Sequence, residues 1–335
     1  MRRNLKLMLT LITLAVLALT FTSCFLYLEY EPTDSIVIEG IVYTKKNDGT
    51  GEFFVSGCEN PPSIVKIRDR VLGASVTEIG AYAFERAGIS SITLPDSIKA
   101  IGKGAFQGSA IGAINIPVGV KSIEANTFKD CRNLYSIDLH DSIDVIGEHA
   151  FSNTNLLRIT LPDSVTMIGK FAFLHCTQLT SVSFGNGVTD IAKGAFIGCS
   201  ALETVNIKDI SAWCEINFSS NYANPLHQAE NLMLNGELIT DIVIPKGTVR
   251  ISSYAFYNYK KLAKISIASS VSEIGAYAFD SCSNLTEVIF ATAEDWYVLL
   301  NDQAIEAPSS IADPKAASEY LTVTFVPYKW EHRSR

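Results

Sequence analysis

Val76-Thr77-Glu78-Ile79-Gly80-Ala81-Tyr82-Ala83-Phe84 decides the fold, because the chain keeps returning to it. The pattern comes back as Ile98, Ile101, Gly102, Ala105 and Phe106, then as Val120, Ile123, Thr127 and Phe128. Further copies carry Ala150-Phe151, Ala172-Phe173, Ala195-Phe196, Ala255-Phe256 and Ala278-Phe279. Successive Phe positions lie 22, 22, 23, 22, 23, 60 and 23 residues apart. A fixed period in this range is the mark of a solenoid, in which each unit buries its apolar face only against its neighbours.

After each copy stands an apolar pair two residues apart, such as Ile137/Leu139, Ile159/Leu161, Val182/Phe184 and Val205/Ile207. Side chains two apart on a strand share a face, so each pair points inward and its flanking residues point out. Pro95, Pro117, Pro162 and Pro245 follow several pairs directly and would end the ladder there. Nine such pairs run from Ile92/Leu94 to Val288/Phe290, and Val65/Ile67 fits the same frame earlier. Gly80, Gly102, Gly147, Gly169 and Gly275 are expected in turn conformations that other residues resist. Length alone, 335 residues, suggests two domains. The repeat replaces that expectation with one elongated domain.

The unit V-x-x-I-G-x-x-A-F followed by a strand ending in Leu-Pro resembles the BspA-type leucine-rich repeats of bacterial surface proteins. The similarity covers roughly residues 60–292. The run from Asn224-Pro225-Leu226 through Leu234-Asn235-Gly236 to Ile244-Pro245 resembles a linker unit of that family. The resemblance implies a leucine-rich-repeat solenoid with one short parallel strand per coil, and adhesion to host matrix proteins or other cells.

Between Phe196 and Phe256 the period breaks, which predicts a longer variant coil at residues 208–241. That stretch could be a binding loop or a larger coil of the same solenoid. Trp213 falls eight residues after Val205, and Trp296 eight after Val288. Each is expected on a short helix, with Thr292 and Asp295 spaced as a capping box for the second. Both ends need caps. Asn47-Asp48-Gly49 between Ile41-Val42-Tyr43 and Phe53-Phe54-Val55 predicts an N-terminal β-hairpin within residues 24–59. A mixed C-terminal cap spans 293–335, with a helix starting at Asp313-Pro314 and a closing strand over 321–326.

The N-terminus carries an address. Arg2, Arg3 and Lys6 precede an uncharged apolar run over residues 7–21, and Cys24 follows. This predicts a secretory signal of lipoprotein type over 1–23, with Cys24 lipidated and the chain held in the bacterial envelope, at the outer membrane or cell surface. A retained signal anchor over 7–28 is the alternative.

Composition excludes several classes. With 47% hydrophobic and 19% charged residues the chain has ample apolar surface to bury, so disorder is excluded. The 27 basic against 35 acidic residues give −8, and loss of Arg2, Arg3 and Lys6 with the signal would give −11. A nucleic-acid partner is therefore not expected. The five histidines, His140, His149, His175, His227 and His332, form no metal-protease or nucleophile motif. Cys131, Cys176, Cys199 and Cys282 each sit three residues after a repeat Phe and are expected as small buried side chains. Cys176 and Cys199 occupy adjacent coils, which leaves a bridge between them open. No catalytic residue, metal site or cofactor is expected.

The outward face of the strands is the candidate site. Its residues include Ser136, Asp138, Arg158, Thr160, Ser181, Ser183, Thr204 and Asn206, mostly short polar groups without aromatics. A solvated sheet needs such residues in any case. The functional reading is a platform for a protein or glycan ligand at the cell surface, which includes a host matrix protein. A structural envelope lipoprotein with no external ligand is the alternative.

Overall fold

The computed structural model describes residues 34–300 and 303–333. The expected signal segment, residues 1–23, and Cys24 lie outside them. The chain divides into two compact units, Met1–Ile36 and Val37–Arg335, and only residues 34–36 of the first are described. The second is a β-solenoid, a stack of about ten turns of roughly 23 residues each.

One coil explains the rest. It opens with the front strand Arg158–Thr160, turns at Leu161-Pro162, enters a second strand at Met167–Ile168, and returns through tight turns to the next front strand, Ser181–Ser183. Ile159, Leu161, Val165, Ile168, Ala172, Phe173, Cys176 and Leu179 are all 0–2% exposed. The repeat motif is thus the list of side chains that point into the stack. Front strands pair in parallel, with Arg158, Ser181, Thr204 and Asn231 in one row. Second strands pair likewise, with Ser122, Val145, Met167, Asp190 and Asn217 in one row. The turn wall adds a third ladder: Phe151 N–H donates to Ala172 O, and Phe173 N–H to Ala195 O, each at 2.8 Å.

Inside this wall the phenylalanines stack. Phe84, Phe106, Phe128, Phe151, Phe173 and Phe196 lie with successive ring centroids 5.2–5.6 Å apart and nearly parallel planes. Phe256 and Phe279 form a second stack at 5.5 Å.

The glycine expectation is corrected. Gly80, Gly102, Gly147, Gly169 and Gly275 do not have positive φ. They are required by close approach between coils: a Cβ on Gly102 would lie 2.6 Å from Ala81 N, and one on Gly275 2.2 Å from Ser253 N. The left-handed positions come two residues before the stacked Phe and two after it. They are held by Phe171 and His175 in one coil and by Gly194 and Gly198 in the next.

The variant stretch is a complete coil of its own. Asn217–Phe218 pairs with Asp190–Ile191, and Asn231–Leu234 pairs with Thr204–Ile207. The strand count from sequence therefore missed one, Asn231–Leu234. This coil has no stacked Phe. A helix, α1 (Ile210–Glu215), is capped by Asp209, whose carboxylate accepts from Ser211 N and Ala212 N. It buries Trp213 edge-on to Phe184 at 5.5 Å. Trp213 Nε1 donates to Ala255 O at 2.9 Å, and the buried Asn224 amide donates to Tyr254 O and Ala255 O. Side chains thus replace the backbone ladder where the repeat is interrupted.

At the N-terminal end the hairpin Ile41–Lys45/Phe53–Cys58 lays Phe53–Val55 against Val76–Ile79. The C-terminal end departs from expectation twice. Trp296 begins a strand, Trp296–Leu300, because Asp295 takes positive φ and its neighbours pair with a final strand. That final strand is Lys329–His332, not 321–326. It completes the second sheet antiparallel to Glu273–Ile274. The expected helix is α2 (Pro314–Glu319), but it runs on into a helical turn at Tyr320–Thr324 that buries Leu321. The apolar residues there serve a helix face and not an alternating strand.

Candidate functional site

The eight candidate residues fall on four successive front strands and one face. Ser136 and Asp138 flank buried Ile137, Arg158 and Thr160 flank Ile159, Ser181 and Ser183 flank Val182, and Thr204 and Asn206 flank Val205. The first four are exposed and the last four half-buried. In register, Arg158, Ser181 and Thr204 form one row, and Thr160, Ser183 and Asn206 the next. The strands Ser136–Asp138 and Arg158–Thr160 are linked where Leu157 N–H donates to Tyr135 O at 3.2 Å. A shallow hollow of about 270 Å³ lies on this face over Ala113, Asn115, Ser136 and Asp138. The small side chain of Ala113 leaves it open.

Charge is local along the face. Lys208 Nζ sits 2.8 Å from Asp163, whose carboxylate also accepts from Asn186 N. The Lys208 hydrogen bond and that amide hold Asp163 below the usual carboxylate range. Lys264 pairs with Glu287 at 2.9 Å across adjacent strands, and this bond raises the Lys264 pKa. Asp138, Arg158 and Thr160 take part in no ion pair or side-chain hydrogen bond among the described residues. Their polar groups face solvent and are available to a partner.

Two residues of this surface escaped the strand-by-strand reading. Tyr135 is 54% exposed and Leu157 47%, and each directly precedes an outward strand residue. The Tyr135 ring reaches over Gly112, where a Cβ would lie 3.3 Å from it. An alternation count that stops at the strand ends cannot find them. The exposed large residue ahead of each strand was the available signal.

The cysteines are accounted for by packing. Cys131, Cys176, Cys199 and Cys282 are buried free thiols, and each donates to the carbonyl of a Phe one coil back: Phe106, Phe151, Phe173 and Phe256. Cys176 and Cys199 are not bridged. Burial pushes Cys131 and Cys176 up to about 11 and Cys282 up to about 12. His175 is exposed while Cys176 is buried, so the two cannot act as a pair. Among the described residues no group of three or more His, Cys, Asp or Glu converges in a way that could hold a metal ion. No described helix is long and apolar enough to cross a membrane.

A model of the BspA-type leucine-rich repeat region matches in six copies over residues 63–165, 99–223 and 229–297. A leucine-rich repeat protein from Bacteroides ovatus is similar in structure, with 29% identity, a TM-score of 0.50, and cover of 77% of this chain and 71% of that one. The T. pallidum leucine-rich repeat protein shares 22% identity at a TM-score of 0.49, covering 75% of this chain and 90% of that one. Among curated proteins none matches.

Proposed function

Because the chain belongs to the BspA-type leucine-rich repeat family, we propose that it is a non-catalytic bacterial surface protein that binds a macromolecule through its front sheet. The observation that carries this reading is the run of four adjacent strands, from Ser136–Asp138 to Thr204–Ile207, whose eight outward side chains make no hydrogen bond or ion pair among the described residues. A parallel sheet fixed every coil by two further ladders is a stiff template, so binding there orders little that was not already ordered. Tyr135 and Leu157 beside Arg158 and Asp138 supply the mix of aromatic, apolar and charged groups found in protein–protein hot spots. A protein ligand such as a matrix protein suits this surface better than a glycan.

Cys24 is the anchor in this account. Multiple acyl chains there hold the protein on the envelope. The test has two arms. Full-length protein is assayed for capture by immobilised matrix proteins, and intact cells are treated with protease. Capture together with cleavage on intact cells supports an adhesive surface protein. Protection from protease with no capture supports a structural envelope component and overturns the reading. Radiolabelled fatty acid incorporated into wild type but not into Cys24→Ala confirms the anchor.

A further inference from the structure

The C-terminal cap closes the solenoid with two strands and then adds a third that covers little. Trp296–Leu300 and Lys329–His332 pair with each other and bury Trp296, Val298 and Trp330, with both indoles against Phe290. The strand beyond them, Gln303–Glu306, is exposed at all four positions. Ile305 stands opposite buried Val298 and so on the same face of the sheet, yet it is 50% exposed. Shielding the end of the core does not require this strand.

Its hydrogen bonding leaves one edge open. Ala307 N donates to Trp296 O, and the register continues with Glu306 opposite Tyr297 and Ile305 opposite Val298. Bonded and non-bonded pairs alternate along an antiparallel ladder. Gln303 and Ile305 therefore bond back to the hairpin, while the N–H and C=O groups of Ala304 and Glu306 point away from it. Among the described residues no strand pairs with that edge. No Lys, Pro or bulge guards Gln303–Glu306. An extended chain can add there as a further strand.

Charge selects the occupant. Where the strand ends at Glu306, a cavity of about 750 Å³ opens, lined by Glu294, Asp295, Trp296, Glu306, Ala307 and Ser309 among others. Among the described residues no Lys or Arg lines it. Glu294 and Glu306 are exposed and belong to none of the ion pairs of the described residues. Arg333, which follows the final strand, is engaged by Glu331 and by the Tyr297 ring. A basic side chain brings this cavity a cation on an apolar stem, whereas an acidic one is repelled. A second copy of the chain would bring a matching carboxylate cluster to the seam, which like-charge repulsion opposes.

We propose that the free edge of Gln303–Glu306 docks an extended peptide segment carrying Lys or Arg, which adds as a strand and places that side chain in the acidic cavity. Ala304 and Glu306 supply the backbone bonds, which fix direction and register. The carboxylates supply the preference for a cation. The site is separate from the front sheet, and either can fail alone.

The test offers full-length protein a degenerate library of short, terminally blocked peptides and identifies the retained ones by mass spectrometry. Lys and Arg should be enriched at one position, with Asp and Glu depleted there and Pro depleted beside it. A labelled peptide of that consensus is then titrated by fluorescence anisotropy. Ala304→Pro removes an N–H that points off the edge, so the melting temperature should hold while affinity falls by roughly fivefold or more. Glu294→Gln/Glu306→Gln keeps the strand and its bonds; it should lose both the Lys and Arg preference and the salt dependence of binding, even if Ala304→Pro fails to fold. The front-sheet variant Asp138→Ala/Arg158→Ala/Thr160→Ala should bind the peptide as wild type does. No enrichment, enrichment of acidic or apolar residues alone, or equal affinity in wild type and both edge variants overturns the proposal. A dimer in sedimentation that Ala304→Pro dissolves would assign the edge to a second copy and also overturn it.

Discussion

Replacing one ring in the phenylalanine stack by leucine separates stacking from simple burial. Phe151 is fully buried and stacks on two neighbours, Phe128 at 5.6 Å and Phe173 at 5.4 Å. Phe84 is equally buried but stacks on one, Phe106 at 5.5 Å. Leucine keeps most of the apolar area, so the burial loss is similar at both sites. Each stacked pair contributes about 0.5–1.5 kcal/mol beyond its area. Phe151→Leu should therefore lose about 1–3 kcal/mol of stacking, and Phe84→Leu about half of that. Urea unfolding followed by tryptophan fluorescence suits the protein, because Trp213, Trp296 and Trp330 are all buried. With a slope of roughly 3 kcal/mol per molar, a 2 kcal/mol loss moves the midpoint by about 0.7 M. Because a solenoid can unfold in segments, circular dichroism must give the same midpoint as fluorescence for the comparison to hold. Equal shifts for the two variants, or a larger one for Phe84→Leu, would refute the stacking argument.

Three further outcomes follow from the packing and the titrating groups. Gly187→Ala should destabilise by about 1–3 kcal/mol or more, because its Cβ would lie 1.9 Å from Asp163 O; an unchanged melting temperature would contradict the coil-to-coil contact. Native-state alkylation at pH 8.5, read by mass spectrometry, should modify half-buried Cys58 before Cys131, Cys176, Cys199, Cys214 or Cys282, whose thiols are buried and shifted upward. Burial lowers the folded-state pKa of His149 and His227, so the unfolded chain binds more protons as pH falls through the ordinary histidine range near 6.5. Stability should be fully present above that value and decline below it. The decline should be smaller in His149→Gln, and an identical pH profile in that variant would contradict the assignment.

How far sequence reasoning reached depends on what the repeat controls. The residues pointing into the stack obey its period, so Phe151, Ile146 and Cys176 could be placed by counting. Gly102 could be singled out but not explained, since the clash it avoids is with Ala81 of the preceding coil. Trp213 and Trp296 share a spacing, yet one lies in a helix and the other in a strand, because only the second is paired by Lys329–His332. Such pairing joins residues far apart in sequence and leaves no local mark. On the outer surface the period controls little. The outward strand residues were legible from alternation, but Tyr135 and Leu157 stand just ahead of the strands, outside that count.

The most direct test of the account compares capture of an immobilised matrix-protein ligand by wild type and by the triple variant Asp138→Ala/Arg158→Ala/Thr160→Ala. None of the three side chains makes a hydrogen bond or ion pair among the described residues, so circular dichroism and melting temperature should not change. Loss of a central Arg contact with its neighbours should weaken binding by at least about 2 kcal/mol, roughly 30-fold in Kd. Equal affinity in the two folded proteins would contradict the claim that the front sheet is the binding surface.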